Sequence, residues 1–134
     1  QAGIAFGYYG ENDLQLIHEC LKRELSLYQA TLDGIYYCPH HPRGTIPEYR
    51  GECSCRKPKI GLFLKACQEL NIDLAASYVV GDKLSDIGAG KRLGCSTVLV
   101  QTGFGPRELS RGVPADLLPE LVTADLSAAL RYLV

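Results

Sequence analysis

The sequence predicts an α/β fold, an open, parallel, Rossmann-like sheet with helices on both faces. Three observations predict it. "ASYVVG" and "STVLVQ" are short, β-branched and almost continuously apolar, as strands buried on both faces of a parallel sheet are. "LSDIGAGKRLG" between them reads as a helix that Gly94 terminates, which completes a strand–helix–strand unit. The closing "LVTADLSAALRYLV" reads as another short strand and a helix capped by Thr123 or Asp125. A chain of 134 residues with 46% hydrophobic content suits one compact domain, residues 1–134.

Ahead of that unit, Leu14, Ile17, Leu21, Leu25 and Tyr28 recur at three- and four-residue spacing. Asn12 to about Leu32 is therefore expected to be a helix with Asn12 as its N-cap. "DGIYYC" is expected to be a short strand. Further on, Pro58 stands where a first helical turn tolerates it, and Ile60, Phe63, Ala66, Cys67 and Leu70 line one face of a second helix. Thr102 to Pro119, with three prolines and three glycines, reads as a long loop. Ligands of such sheets sit at the carboxyl ends of the strands, which is where chemistry is sought.

The net charge of −1, from 14 basic and 15 acidic residues well mixed along the chain, offers no field that would hold a polyanion. Nucleic acid is not an expected partner. No apolar run approaches the roughly 18 residues that span a bilayer, and the first residues form neither a basic nor an apolar targeting region. A soluble, cytoplasmic monomer without membrane contact is expected. The chain contains no methionine and begins with Gln1, so it is expected to be a piece of a longer protein.

Tyr36 to Lys59, "YYCPHHPRGTIPEYRGECSCRKPK", holds three of the six cysteines and two of the three histidines. The spacing is C-x-H-x12-C-x-C, through Cys38, His40, Cys53 and Cys55. Two close pairs on a returning loop can supply four soft or borderline ligands in the tetrahedral geometry of a closed structural zinc site. His41 is an alternative to His40, which is preferred because its spacing from Cys38 mirrors the Cys53/Cys55 pair. A set of reduced structural cysteines is the plainer reading. Disulfides fit less well: Cys53 and Cys55 are too close for an easy bridge, three cysteines leave an odd thiol, and nothing points to an oxidising compartment. Cys20, Cys67 and Cys95 read as small hydrophobes, and His18 as a structural or surface side chain.

"VVGDKLSD" puts Asp82 at the carboxyl end of a buried strand and Asp86 one helical turn further on. Carboxylates there suit Mg²⁺, which takes oxygen ligands, keeps several waters and is shared with a substrate phosphate. The alternative is that Asp82 caps the following helix and Asp86 is a first-turn acid favoured by the helix dipole. Arg56 and Lys57 of "CRKPK" precede a helix whose N-terminal amides favour an anion, so phosphate is the natural guest; a solvated basic turn is the alternative.

Together "QAGIAFG", "DGIYYCPHHP", "CSCRKPK" and "VVGDKLSD" resemble the haloacid dehalogenase superfamily of phosphatases over essentially the whole chain. The resemblance implies a capless phosphatase in which Cys38, His40, Cys53 and Cys55 hold a structural Zn²⁺ in a loop that replaces the cap domain of larger relatives. It implies Lys57 as the phosphate-stabilising lysine, Asp82 as a Mg²⁺ ligand, and Asp86 as an acid acting behind the metal. Arg56, Lys57 and Lys83 become substrate contacts, and Gln1 and Ala2 match the end of the phosphate-binding loop. A sugar bisphosphate is the implied substrate. Histidinol phosphate is the rival, although its enzymes typically have a shorter gap between the two ligand pairs.

Members of the superfamily begin with a strand ending in D-x-D-G-T, whose first Asp attacks phosphorus and whose second is the general acid/base. No two aspartates here stand two residues apart. The resemblance therefore implies that the nucleophile strand is missing from these residues and that the chain alone is inactive. The reading from a different class is a non-catalytic, zinc-stapled binding module.

Overall fold

The computed structural model describes residues 1–133. They fall into two compact units, Gln1–Arg56 with Gly61–Leu70, and Lys57–Ile60 with Asn71–Val134.

The first unit contains α1 (Ala2–Ala5), α2 (Glu11–Ser26), a 3-10 turn at Pro47–Tyr49 and α3 (Gly61–Leu70). The cap of α2 is Gly10, whose N–H donates to Asp13 Oδ2 at 2.8 Å, so Asn12 lies inside the first turn instead of capping it. The helix also stops at Ser26, short of the expected Leu32. Gln29 adopts a left-handed φ of 56°, and the N–H groups of Gln29 and Ala30 donate to the carbonyls of Ser26 and Leu25 at 3.0 and 3.1 Å. This is the Schellman arrangement, here built on glutamine where glycine is usual. Of the predicted apolar stripe on α2, only Leu14 is buried.

"DGIYYC" forms no strand. Alternating apolar residues favour extended backbone, but a strand exists only where a neighbour exchanges ladder hydrogen bonds with it. Among the described residues of this unit the one bridge joins His41 and Arg50. The helix predicted from Ile60 onward is present as α3, but Pro58 lies three residues ahead of it, after a cis Lys57–Pro58 bond, and not in its first turn.

The second unit carries the predicted sheet. β1 (Tyr78–Gly81), β2 (Ser96–Val100) and β3 (Leu121–Thr123) pair in parallel in that order, with Val79 opposite Thr97, Val80 opposite Val98 and Val100 opposite Thr123. α4 (Leu84–Leu93) links β1 to β2 and ends at Gly94 as predicted, with φ 75° and the Cys95 N–H on the Gly90 carbonyl at 3.1 Å. It packs on the face that presents Val79 and Thr97. A Cβ on Gly90 would lie 2.5 Å from Thr97 Cγ2 and 3.0 Å from Val79 Cβ, so only glycine permits this approach.

Between β2 and β3, the stretch expected to be a loop contains α5 (Gly105–Ser110) and a 3-10 turn at Ala115–Leu117. Pro106 falls in the first turn of α5, where its missing N–H costs nothing. α6 (Leu126–Leu133) follows β3, and Asp125 caps it by accepting the Ala128 N–H at 2.7 Å. Val80, Val98, Val100 and Leu121 pack with Ala129 and Leu133 of α6. Successive strand residues point to opposite faces, so α4 and α6 cover opposite faces of one parallel sheet, the predicted architecture. Leu99 and Ile87 are fully buried, and each contributes about 1.5–3 kcal/mol by leaving water. No described helix is long and apolar enough to cross a membrane.

Glu120 ties the start of β2 to the turn before β3. The Thr97 N–H and Oγ1–H both donate to Glu120 Oε2, the latter at 2.6 Å, and Lys91 Nζ lies 3.8 Å from Oε1. The Thr97 hydroxyl bond, against opposition from burial, holds the Glu120 carboxyl below its ordinary value of 4.5. A folded-state pKa below the unfolded one gives stability that is fully present above the unfolded value and is lost as pH falls through the folded one. Glu120→Gln is therefore expected to flatten the fall in melting temperature below about pH 4.5. An acid limb identical to that of the parent would show that the carboxylate contributes nothing.

Candidate functional site

In the first unit the loop between α2 and α3 brings Cys38, His40, Cys53 and Cys55 together, their donor atoms all within 4.8 Å of one another. Cys38 Sγ lies 3.5 Å from Cys53 Sγ and 2.8 Å from Cys55 Sγ, and Cys55 Sγ lies 3.4 Å from Cys53 Sγ. His40 Nδ1 completes the group at 3.8 Å from Cys38 and 3.5 Å from Cys55. With metal–sulfur bonds of about 2.3 Å, tetrahedral coordination sets sulfurs roughly 3.8 Å apart; the two separations from Cys53 come near this and the Cys38–Cys55 one is shorter, and the three thiols and one imidazole form a group that could hold a metal ion. None of the three thiols forms a disulfide. His41 is not in the group: its Nδ1 accepts the Arg43 N–H at 3.1 Å and its ring packs on Phe6 at 4.8 Å.

Burial, reinforced by the neighbouring thiols Cys38 and Cys53, pushes the Cys55 thiol up to about 12. Burial also opposes ionisation of Cys53, but hydrogen bonds from Cys55, Cys38 and the amides of Arg56 and Cys55 outweigh it and hold that thiol below its ordinary value. Two further predicted residues brace the same loop. The Gln1 backbone nitrogen donates to the Cys38 carbonyl at 3.0 Å, and Arg56 donates to the His40 carbonyl at 3.3 Å. Ala2 opens α1.

In the second unit Lys57, Asp82, Lys83 and Asp86 gather at the carboxyl end of β1. Asp86 is 4% exposed, and both of its oxygens are engaged. Oδ2 accepts the Lys83 N–H at 3.1 Å, which caps the start of α4, and Oδ1 meets Lys57 Nζ at 2.5 Å. No other donor reaches that buried oxygen among the described residues. A Cβ on Gly81 would collide with the Asp86 carboxyl, so the glycine of "VVGD" is what lets Asp86 fold back under the strand end. Loss of Lys57 would leave a buried carboxylate without its cation. The cost is on the order of 1–3 kcal/mol, discounted because Lys57 is half exposed.

Asp82 does not cap α4. Its Oδ2 accepts the Phe104 N–H at 2.9 Å, across from the loop that follows β2. Lys83 lies with its Nζ 3.9 Å above the centroid of the Phe104 ring. Gly103 and Phe104 were not among the predicted site residues. The available signal was positional: "TGF" follows an apolar strand just as "GDK" does, so both turns stand at strand carboxyl ends. α3 begins four residues after Lys57 in the sequence, and its Gly61 N–H donates to the Ser54 carbonyl at 3.0 Å.

The arrangement in the second unit is one buried carboxylate held by a lysine, one carboxylate with an oxygen to offer, and a second lysine, all at strand carboxyl ends. It suits the charge neutralisation that phosphoryl transfer demands. The family model that matches the chain is that of the HAD-hydrolase-like proteins, over residues 54–129. The D-glycero-beta-D-manno-heptose-1,7-bisphosphate 7-phosphatase of Haemophilus ducreyi is 51% identical over 105 residues, 77% of this chain and 57% of that protein. The protein of the same name from Escherichia coli (strain K12) is 48% identical over 104 residues, 77% of this chain and 54% of its own length. The chain thus spans about half the length of the curated relatives it matches. The crystal structure of D,D-heptose 1,7-bisphosphate phosphatase from B. bronchiseptica, complexed with magnesium and phosphate, superposes with a TM-score of 0.84 at 34% identity. That match covers 99% of this chain and 69% of the other.

Proposed function

The chain belongs to the HAD-hydrolase-like family, and from that premise we propose that the whole protein is a Mg²⁺-dependent phosphatase. Its reaction removes the 7-phosphate of D-glycero-D-manno-heptose 1,7-bisphosphate, a cytoplasmic step in making the heptose precursor of the lipopolysaccharide core. The observation that carries this reading is the Lys57–Asp86 contact of 2.5 Å at the carboxyl end of β1, which fixes an ammonium where a phosphate arrives. The heptose bisphosphate phosphatases similar to this chain support the choice of substrate.

The roles follow from the chemistry of each group. Lys57, aligned by Asp86, neutralises charge on the transferring phosphoryl group. Asp82 holds the Mg²⁺, which when bound supplies further positive charge to the phosphate oxygens. Arg56, Lys83, Gln1 and Ala2 contact the substrate. The nucleophile is a carboxylate of a D-x-D-G-T strand, which forms an aspartyl-phosphate that water hydrolyses; these 134 residues contain no such pair. Cys38, His40, Cys53 and Cys55 would hold Zn²⁺ with four protein donors, which would make the metal structural, steadying the loop whose next two residues are Arg56 and Lys57.

Full-length protein is expected to release phosphate from heptose 1,7-bisphosphate in a Mg²⁺-dependent manner and to turn over histidinol phosphate far more slowly. The 134-residue chain is expected to release none from either. Preference for histidinol phosphate would transfer the protein to the rival substrate class, and turnover by the short chain would refute the carboxylate-nucleophile assignment.

A further inference from the structure

Phe104 touches both Asp82 and Lys83, and it does so with different parts of itself. Its backbone N–H occupies Asp82 Oδ2 at 2.9 Å, and its ring, 46% exposed, carries the Lys83 ammonium at 3.9 Å from the centroid. Gly103 makes the approach feasible. It adopts a φ of +59°, and a Cβ there would collide with Asp82 Oδ2, so no other residue brings the loop this close. Asp82 and Lys83 are neighbours on β1's carboxyl end, and successive residues on an extended segment diverge. An outside element is needed to set both at once.

We propose that Phe104 is a positioning residue that sets the metal-binding and substrate-binding side chains together: its amide commits one oxygen of Asp82, and its ring face aims the Lys83 ammonium. The proposal rests on the reading of Asp82 and Lys83 as Mg²⁺ and substrate contacts. An ammonium on a four-carbon stem otherwise samples many rotamers, and a sugar bisphosphate would have to order it on binding. The ring pre-orders it, through attraction between the cation and the negative face of the π system. With one N–H on Asp82 Oδ2, the carboxylate is held in place and its remaining lone pairs are left for a cation.

The two roles separate by mutation. Phe104→Leu keeps the amide on Asp82 and removes the π face; Phe104→Trp keeps both. In the full-length protein, Phe104→Leu is expected to raise KM for the heptose bisphosphate about three-fold with kcat changed less than about two-fold, and Phe104→Trp to stay near the parent. A fall in kcat with unchanged KM, or equal losses in both variants, would overturn the proposal. A second readout does not depend on turnover. The ε-methylene resonances of Lys83 should be shifted upfield by the ring current in the parent and in Phe104→Trp, and should return to the position of the other lysines in Phe104→Leu. No upfield shift in the parent would sink the ring contact whatever the activity. The shift present in a full-length protein that hydrolyses no sugar phosphate would leave the ring contact standing and remove the functional reading instead.

Discussion

Asp82→Asn in the full-length protein is expected to lower Mg²⁺-dependent phosphate release by about 10²–10³-fold while leaving the fold intact. The asymmetry between the two acids of "GDKLSD" dictates which one to change. Asp86 is buried and already serves Lys57 with one oxygen and the Lys83 amide with the other, so its removal would disturb the helix start and the lysine together. Among the described residues, Asp82 is committed at one oxygen, to the Phe104 amide. An asparagine carbonyl can accept that same N–H, so the substitution removes the negative charge and keeps the loop contact. Melting temperature should therefore stay within about 2 °C of the parent, and a defect in turnover reports on charge alone. Because the lost group is proposed as a Mg²⁺ ligand, the concentration of Mg²⁺ needed for half-maximal rate should rise as well. Normal turnover at the parent's Mg²⁺ concentration would take Asp82 out of the site.

The split between these two carboxylates was open in the sequence for a physical reason. Spacing places Asp86 one turn after Asp82 but leaves undecided which side chain caps α4. That depends on whether the strand end has room for the carboxyl to fold back, and Gly81 provides it. Once Asp86 takes the Lys83 amide, Asp82 is released toward the other loop. Phe104 was invisible for a related reason, since its contacts come from strand register: Val80 stands opposite Val98, and so the two strand-end turns meet.

The elements read from local pattern survived where their hydrogen-bond partners are local or are neighbouring strands. α4 carries its own stop at Gly94, and β1 and β2 are apolar on both faces and pair with each other. The errors fall where the deciding group lies elsewhere. "DGIYYC" has a strand's composition but no ladder partner among the described residues of its unit. α2 stops at Ser26 because Gln29 turns left-handed, a residue whose side chain gives no warning of such a turn, although the apolar spacing runs on toward Leu32. The Cys38, His40, Cys53 and Cys55 cluster was legible because the spacing of its members is a covalent property of the chain. The choice of His40 over His41 was legible only as symmetry, and geometry now supplies the reason: His41 is occupied by Phe6 and the Arg43 amide.

Purified protein is expected to contain about one zinc per chain, and Cys55→Ala is expected to lose it. The effect should be large, because the four donors close a loop in which Cys38 and Cys55 are 17 positions apart and which carries, among the described residues, no regular secondary structure beyond the Pro47–Tyr49 turn. The free energy of metal binding is then folding free energy, since the donors converge only in the folded chain. Loss of the ion should lower the melting temperature by roughly 10 °C and collapse hydrogen-exchange protection of the Gly44, Ile46 and Gly51 amides, which lie within the loop. Chelation should reproduce the variant's behaviour and added Zn²⁺ should reverse it. Acidification should release the metal as the thiolates and imidazole take up protons. If activity is regained with zinc but not with Mg²⁺ alone after chelation, the clasp is needed to present Arg56 and Lys57. If the protein contains no zinc and the loop amides remain protected, the cysteines are reduced packing residues and the clasp is held by hydrogen bonds such as those from Gln1 to Cys38 and Arg56 to His40.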